Sequence, residues 1–223
     1  MTKKYVTPSL LNVEAQKRLE IAKELINAGV KWIHYDVMDG EFVPNTAISY
    51  QEIKNIREKA PKHIMDAHLM VNDPLSYLDE FKNVVDIVTI HFEAIDDLEE
   101  FKEFLMENYH EIKIGLAIKP NTSVERIVEF LPYLALVLVM SVEPGKGGQR
   151  FIETSLQKIN QLKILRLKNS YDYLIQVDGG INNETGPLAF EAGADAAVAG
   201  TYLVVEPTTN RIKSILGHKF KMA

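Results

Sequence analysis

The chain reads as an α/β protein whose strands close into a single (β/α)8 TIM barrel. Two observations carry that expectation. Apolar runs of strand length alternate eight times with amphipathic helical stretches within 223 residues, and strands interleaved with helices pair in parallel, because a parallel neighbour needs a crossover. The side chains with most chemistry to offer, His34, Asp36, His68 and Asp178, fall at the tails of these runs. That is the end of a barrel where active sites collect. No long linker or low-complexity segment interrupts the pattern, so one domain over residues 1–223 is expected.

The units follow in order. A strand at 5–8 leads to a helix over 13–28, and a strand at 32–37 leads through a loop to a helix over 49–59. The run 63–70 precedes a helix opened by Asp73-Pro74, an N-cap candidate followed by proline at the first helical position. Strands at 85–90, 112–118 and 134–140 precede helices over 96–108, 123–130 and 152–168. Strands at 173–177 and 196–199 precede helices over 183–192 and 208–216. Gly29 and Gly193 each stand just after a helix, where glycine suits the C-terminal turn.

Composition narrows the function classes. Apolar residues make up 46% and charged residues 25%, a globular mix. The net charge of −6, from 25 basic and 31 acidic residues, is spread along the chain and argues against a nucleic-acid-binding face. There is no cysteine, so disulfides and thiolate metal sites are excluded and any metal takes N and O ligands. The start, Met1-Thr-Lys-Lys, does not resemble a secretory leader, and the longest apolar stretch, 134–140, is too short to span a bilayer. A soluble cytoplasmic protein is expected, and apolar surface on the helical layer would make it a homo-oligomer.

His34 and Asp36 are two apart, so on a strand they share a face. With His68 and Asp178 they make two imidazoles and two carboxylates, a set able to hold a divalent cation. The same carboxylates are able to move protons. On the second and seventh strands they are expected to face each other across the barrel mouth. Two acid–base groups on opposite sides of a flat intermediate suit removal of a proton from one face of a carbon and its return on the other. Taken singly, each aspartate is equally well an ordinary strand-end or helix-capping residue. Asp66 shares a face with His68 and reads either as its deeper partner or as a buried hydrogen-bonded acid. His91 is expected to line the mouth without being a ligand; His63, His110 and His218 read as surface residues.

Glycine-rich turns supply the other half of the site. The segment 141–149, with Gly145, Gly147 and Gly148, is long enough for a mobile lid with anion-binding backbone. Gly179 and Gly180 follow the seventh strand and Gly200-Thr201 the eighth. Loops after those two strands are the usual phosphate site of barrels, where backbone N–H groups receive the anion. Steric need in a turn accounts for any one of these glycines, but not readily for three adjacent loops of them. Met38, Met70 and Met140, at or just past strand ends, read either as flexible walls between the carboxylates or as core fillers.

These residues carry a family resemblance. Pro8-Ser9-Leu10-Leu11, His34-Tyr35-Asp36-Val37-Met38-Asp39-Gly40, Phe42-Val43-Pro44-Asn45 and His68-Leu69-Met70-Val71 occur in order. They are followed by the segment from Gly115 to Lys119-Pro120, the segment from Val139 to Gly145, Gly147-Gly148-Gln149 and Val177-Asp178-Gly179-Gly180-Ile181-Asn182. Together they resemble the signatures of the ribulose-phosphate 3-epimerase family, from residue 8 to about 201. The resemblance implies a ribulose-phosphate-binding barrel that interconverts D-ribulose 5-phosphate and D-xylulose 5-phosphate through a cis-enediolate, a step of the pentose phosphate pathway. It implies that His34, Asp36, His68 and Asp178 bind one divalent cation, zinc, iron, manganese or cobalt. Asp36 and Asp178 would act on C3, Ser9 would contact the sugar, and His68 is expected among the substrate contacts as well as the metal ligands. Backbone of Gly148, Gly180, Gly200 and Thr201 would hold the phosphate.

The chain departs from the family pattern at Lys146 for the usual phenylalanine, Gln176 for glutamate, and Thr201-Tyr202 for serine and a small residue. Rival readings are a ketohexose-phosphate 3-epimerase acting on allulose 6-phosphate, a lyase or decarboxylase relying on Lys119, and a sugar-phosphate-binding scaffold.

Overall fold

The computed structural model describes residues 3–218. Its eight strands are β1 Tyr5–Pro8, β2 Trp32–Met38, β3 Ile64–Met70, β4 Ile87–His91, β5 Ile114–Ile118, β6 Leu136–Met140, β7 Leu174–Asp178 and β8 Ala196–Ala199. They form one sheet in the order β1-β8-β7-β6-β5-β4-β3-β2, every pair parallel. A parallel bridge between Ser9 and His34 joins the two ends, which closes the ring. The expected barrel is what the chain forms.

Strand parity explains why the runs are apolar throughout. Ile33, Tyr35 and Val37 of β2, with Leu116 and Ile118 of β5 and Val137 and Val139 of β6, pack outward in the large core shared with the helices. Trp32, Ile87, Ala117, Leu136, Leu138, Met140 and Ala196 form a second cluster inside the ring. Both faces are covered, so the strands lack a polar side. The interior also carries polar groups: Thr7, His34, Asp66, His68, Thr89 and Gln176 are all fully buried. Asp36 pairs with His68 across the β2–β3 ladder, so alternation alone brings these two onto one inner layer.

The helices are α1 Arg18–Asn27, α2 Tyr50–Lys59, α3 Pro74–Phe81, α4 Leu98–Asn108, α5 Ser155–Asn169, α6 Thr185–Ala192, α7 Thr201–Val204 and α8 Thr209–Ile215. A capping box of Ser49 and Glu52 starts α2, and the Asp97 carboxylate caps α4. Three expectations need correction. The helix at 13–28 begins as a 3-10 turn, Ala15–Lys17. The helix at 123–130 is replaced by 3-10 turns at Val124–Ile127 and Leu131–Tyr133, the second with Pro132 in its first turn. Pro74 does occupy the first turn of α3, but the Asp73 side chain makes no cap bond. Among the described residues no helix is long and apolar enough to cross a membrane.

Candidate active site

At the C-terminal ends of the strands, β2 supplies His34 and Asp36, β3 supplies His68, and β7 supplies Asp178. One ligand atom from each lies within 4.8 Å of the other three. His34 Nε2 is 3.4 Å from Asp36 Oδ1, and His68 Nδ1 is 3.3 Å from the same oxygen. The two ring nitrogens are 3.3 Å apart, and each is 3.9 Å from Asp178 Oδ2. Ligands about 2.0–2.2 Å from a tetrahedral centre stand about 3.3–3.6 Å from one another. The donor set therefore fits a divalent cation: the His34, Asp36 and His68 atoms already stand at that spacing, and Asp178 would complete it by moving inward. The carboxylates stand closer together than strand counting across an open mouth suggested. Only β8 and β1 separate β7 from β2 on the short side, and the two oxygens converge.

Neighbouring groups orient the cluster. His34 Nδ1 meets Asp66 Oδ2 at 2.6 Å, and Trp32 Nε1 donates to the other oxygen of Asp66. The carboxylate accepts the His34 Nδ1 proton, so Nε2 is the nitrogen that a cation at the cluster would take. Asp66 is thus a buried hydrogen-bonded acid and a partner of the site, but through His34 on β2 and not through His68 on its own strand. The Ser9 hydroxyl donates to Asp36 Oδ2 at 2.5 Å, so Ser9 holds the carboxylate at the closing seam of the barrel.

Electrostatics separate the two aspartates. Burial works against the Asp36 carboxylate, but His34 and His68 outweigh it and hold the group well below its usual range. Asp178 is pushed up to about 7, first by burial and then by the negative Asp36 beside it. Burial also opposes the charged form of His34, yet Asp66 and Asp36 raise it well above the ordinary value. His68 drops to about 3, chiefly through burial.

Above the cluster lies a tight cavity of about 60 Å3 whose floor is Asp36 and Asp178, with Ser9 beside them. Met38, Met70 and Met140 line it, which answers the earlier ambiguity: they are buried and form the wall as well. His68, expected among the substrate contacts, is fully buried below and does not line the cavity. The lid segment contributes Gly145, Lys146 and Gly147, with Lys146 at the exposed rim. Gly179, Gly180, Gly200 and Thr201 line the same space. Gly148 instead borders an adjoining pocket of about 500 Å3, which shares Gly180 and Thr201 with the first. Glycine is required at Gly180, where φ is +64° and a Cβ would come within 2.5 Å of the Phe151 nitrogen.

The structure moves several residues from where the sequence suggested. His91 does not line the mouth; it is fully buried with Nε2 2.9 Å from His68 Nε2. His63 is buried, not on the surface, with Nε2 2.8 Å from the Tyr35 hydroxyl. His110 and His218 are exposed as expected. Gln176 is fully buried and donates to Thr7 Oγ1 at 3.2 Å. Lys119 stacks its ammonium 4.1 Å above the Phe42 ring. Asn12 escaped the sequence reading: its amide lines the cavity and donates to Thr201 Oγ1 at 2.7 Å. Its only signal was its place four residues past the end of β1. Trp32 was also missed, because its partner Asp66 lies on another strand.

Fold and site define a class: a (β/α)8-barrel enzyme with paired carboxylates, two imidazoles and a ring of glycine loops at one rim. A family model described as the ribulose-phosphate 3 epimerase family matches residues 5–204. The chain is 39% identical over 198 residues to a ribulose-phosphate 3-epimerase of Bacillus subtilis, covering 88% of this chain and 90% of that one. It is 38% identical over 213 residues to one of Eremothecium gossypii, covering 90% and 86%. The chain belongs to the ribulose-phosphate 3-epimerase family and is an isomerase. A solved structure of 3-hexulose-6-phosphate synthase superposes with a TM-score of 0.67 at 19% identity, covering 96% of this chain and 98% of that one. That likeness concerns the barrel alone.

Proposed function

We propose that this protein, as a single barrel domain, interconverts D-ribulose 5-phosphate and D-xylulose 5-phosphate by removing the C3 proton from one face of the substrate and supplying another to the opposite face. The observation that carries the reading is the convergence of Asp36 and Asp178 on the floor of one cavity that the β6, β7 and β8 glycine loops also line. One aspartate removes the C3 proton, and the electron pair passes into a cis-enediolate. The other aspartate, protonated, delivers a proton to the opposite face. The reverse reaction exchanges the two roles. His34, Asp36, His68 and Asp178 would hold one divalent cation (zinc, iron, manganese or cobalt), which when bound supplies positive charge to the developing enediolate oxygens.

The remaining residues orient and enclose. Ser9 fixes the Asp36 carboxylate. The three methionines exclude water, which strengthens every charge interaction at the floor. Backbone N–H groups at Gly148, Gly180, Gly200 and Thr201 receive the phosphate, where missing Cβ atoms let the anion approach.

The test is incubation of the metal-supplied protein with ribulose 5-phosphate in heavy water. Xylulose 5-phosphate carrying deuterium at C3 is expected. Neither product nor exchange would overturn the reading. Faster turnover of allulose 6-phosphate in a parallel assay would move the substrate to the ketohexose phosphates.

A further inference from the structure

A chain of hydrogen bonds leaves the cluster through β3 and β4 toward the loop after β5. His68 Nε2 meets His91 Nε2 at 2.9 Å, and His91 Nδ1 meets Glu93 Oε2 at 3.0 Å. Glu93 Oε1 accepts from the Lys119 N–H at 2.8 Å and from the Thr122 hydroxyl at 2.5 Å. Both imidazoles are fully buried, so water does not compete for their nitrogens. The loop that supplies the donors is pinned in turn, because Lys158 Nζ donates to the carbonyls of Lys119, Pro120 and Thr122.

We propose that Glu93 is a positioning residue: acting through His91, it decides which nitrogen of His68 carries the proton and so presents a bare Nδ1 to the cluster. The direction follows from counting donors. Glu93 Oε1 already takes two donors, and an ionised carboxylate offers none, so His91 Nδ1 must donate to Oε2. With that proton on Nδ1, His91 Nε2 is an acceptor. His68 Nε2, which faces it, must then donate, and His68 Nδ1 is left with its lone pair. The same order follows from the other end. That half rests on the metal reading proposed above, under which His68 Nδ1 is a ligand and cannot hold a proton.

The relay parallels the support of His34 but is longer by one ring. Asp66 reaches His34 directly, whereas Glu93 lies two hydrogen bonds from His68 Nδ1's ring partner. A side chain with a purely structural role would need volume and one hydrogen bond. The relay needs a polarity, and that difference is measurable.

The test uses the full chain, metal-free, with 15N-labelled histidine, and reads each ring by its nitrogen shifts. Wild type is expected to show His68 protonated at Nε2 and bare at Nδ1, with His91 the reverse. Glu93→Gln keeps the volume; its amide oxygen retains Lys119 and Thr122 while its NH2 turns on His91 Nδ1. That variant is expected to reverse both rings and to weaken zinc binding, read against a chelating dye, by about 10–100-fold. A fall in Tm with both rings unchanged would make Glu93 merely structural and overturn the proposal. So would a wild-type His68 protonated at Nδ1, a measurement that needs no variant to fold. Wild type that binds no zinc would sink the metal reading, and the ring assignments would still decide the relay.

Discussion

The two walls of the site are made of different material. The β2–β3–β4 wall consists of side chains: His34, Asp66, His68 and His91 are fully buried and each polar atom is matched by another side chain. The wall from β6, β7 and β8 consists of backbone, and Gly145, Gly148, Gly179 and Gly180 all hold positive φ. A wall of side chains depends on chemical identity and on where each proton sits. A wall of backbone depends on space. The first should fail when polarity changes at constant volume, and the second when a single methyl group is added.

The largest expected effect joins the walls. Asp178→Asn, at the end of β7 but within the His34–Asp36–His68 cluster, removes an acid–base group and should lower kcat by about a thousandfold or more. Steady-state assay with ribulose 5-phosphate reads it, and an active variant would refute the two-carboxylate mechanism. Gly180→Ala probes the backbone wall. A Cβ there would lie 2.5 Å from the Phe151 nitrogen at a φ of +64°, a strain of about 1–3 kcal/mol. KM should rise more than kcat falls, with a lower Tm; an unaffected KM would mean the phosphate does not sit against Gly180.

A pH titration of stability probes the side-chain wall. Burial raises the Glu93 pKa, but His91, Thr122 and the Lys119 N–H outweigh it and draw it from 4.5 down to about 2. A depressed carboxylate stabilises the fold fully above its unfolded value, and the contribution is lost as pH falls toward the folded one. The Tm gap between wild type and Glu93→Gln should therefore narrow between about pH 5 and pH 2. A gap that stays constant through this window would contradict the ionised, bonded Glu93. The smallest effect belongs to Asn12→Ala, which frees Thr201 Oγ1 from its 2.7 Å bond. A loss of about 1 kcal/mol corresponds to a KM increase of about fivefold, and a changed kcat instead would place Asn12 nearer the reacting carbon.

The barrel was legible because each unit pairs a short apolar run with an amphipathic stretch, a local pattern that topology cannot disguise. His34 and Asp36 were legible for the same reason, since a spacing of two on one strand settles their common face. The helix at 123–130 was misjudged because an apolar spacing of three to four serves a pair of 3-10 turns as well as one helix. His63 and His91 were misplaced because nothing near them in sequence names Tyr35 or His68 as partners. Burial of an imidazole is decided across strands, and the linear chain carries no mark of it.

The closing bridge between Ser9 and His34 has a consequence for how the protein breathes. β1 pairs with β8 along four residues, but it meets β2 through that single bridge and through the Ser9 hydroxyl on Asp36. Around the ring this is the joint with the fewest main-chain bonds to break. A transient parting of the barrel is expected to start there, and it would carry Ser9 away from Asp36 before another strand pair moves. Amide exchange near residue 9, faster than along the β1–β8 ladder, is the expected sign of that opening, and it would report the assembly of the proton-handling carboxylate.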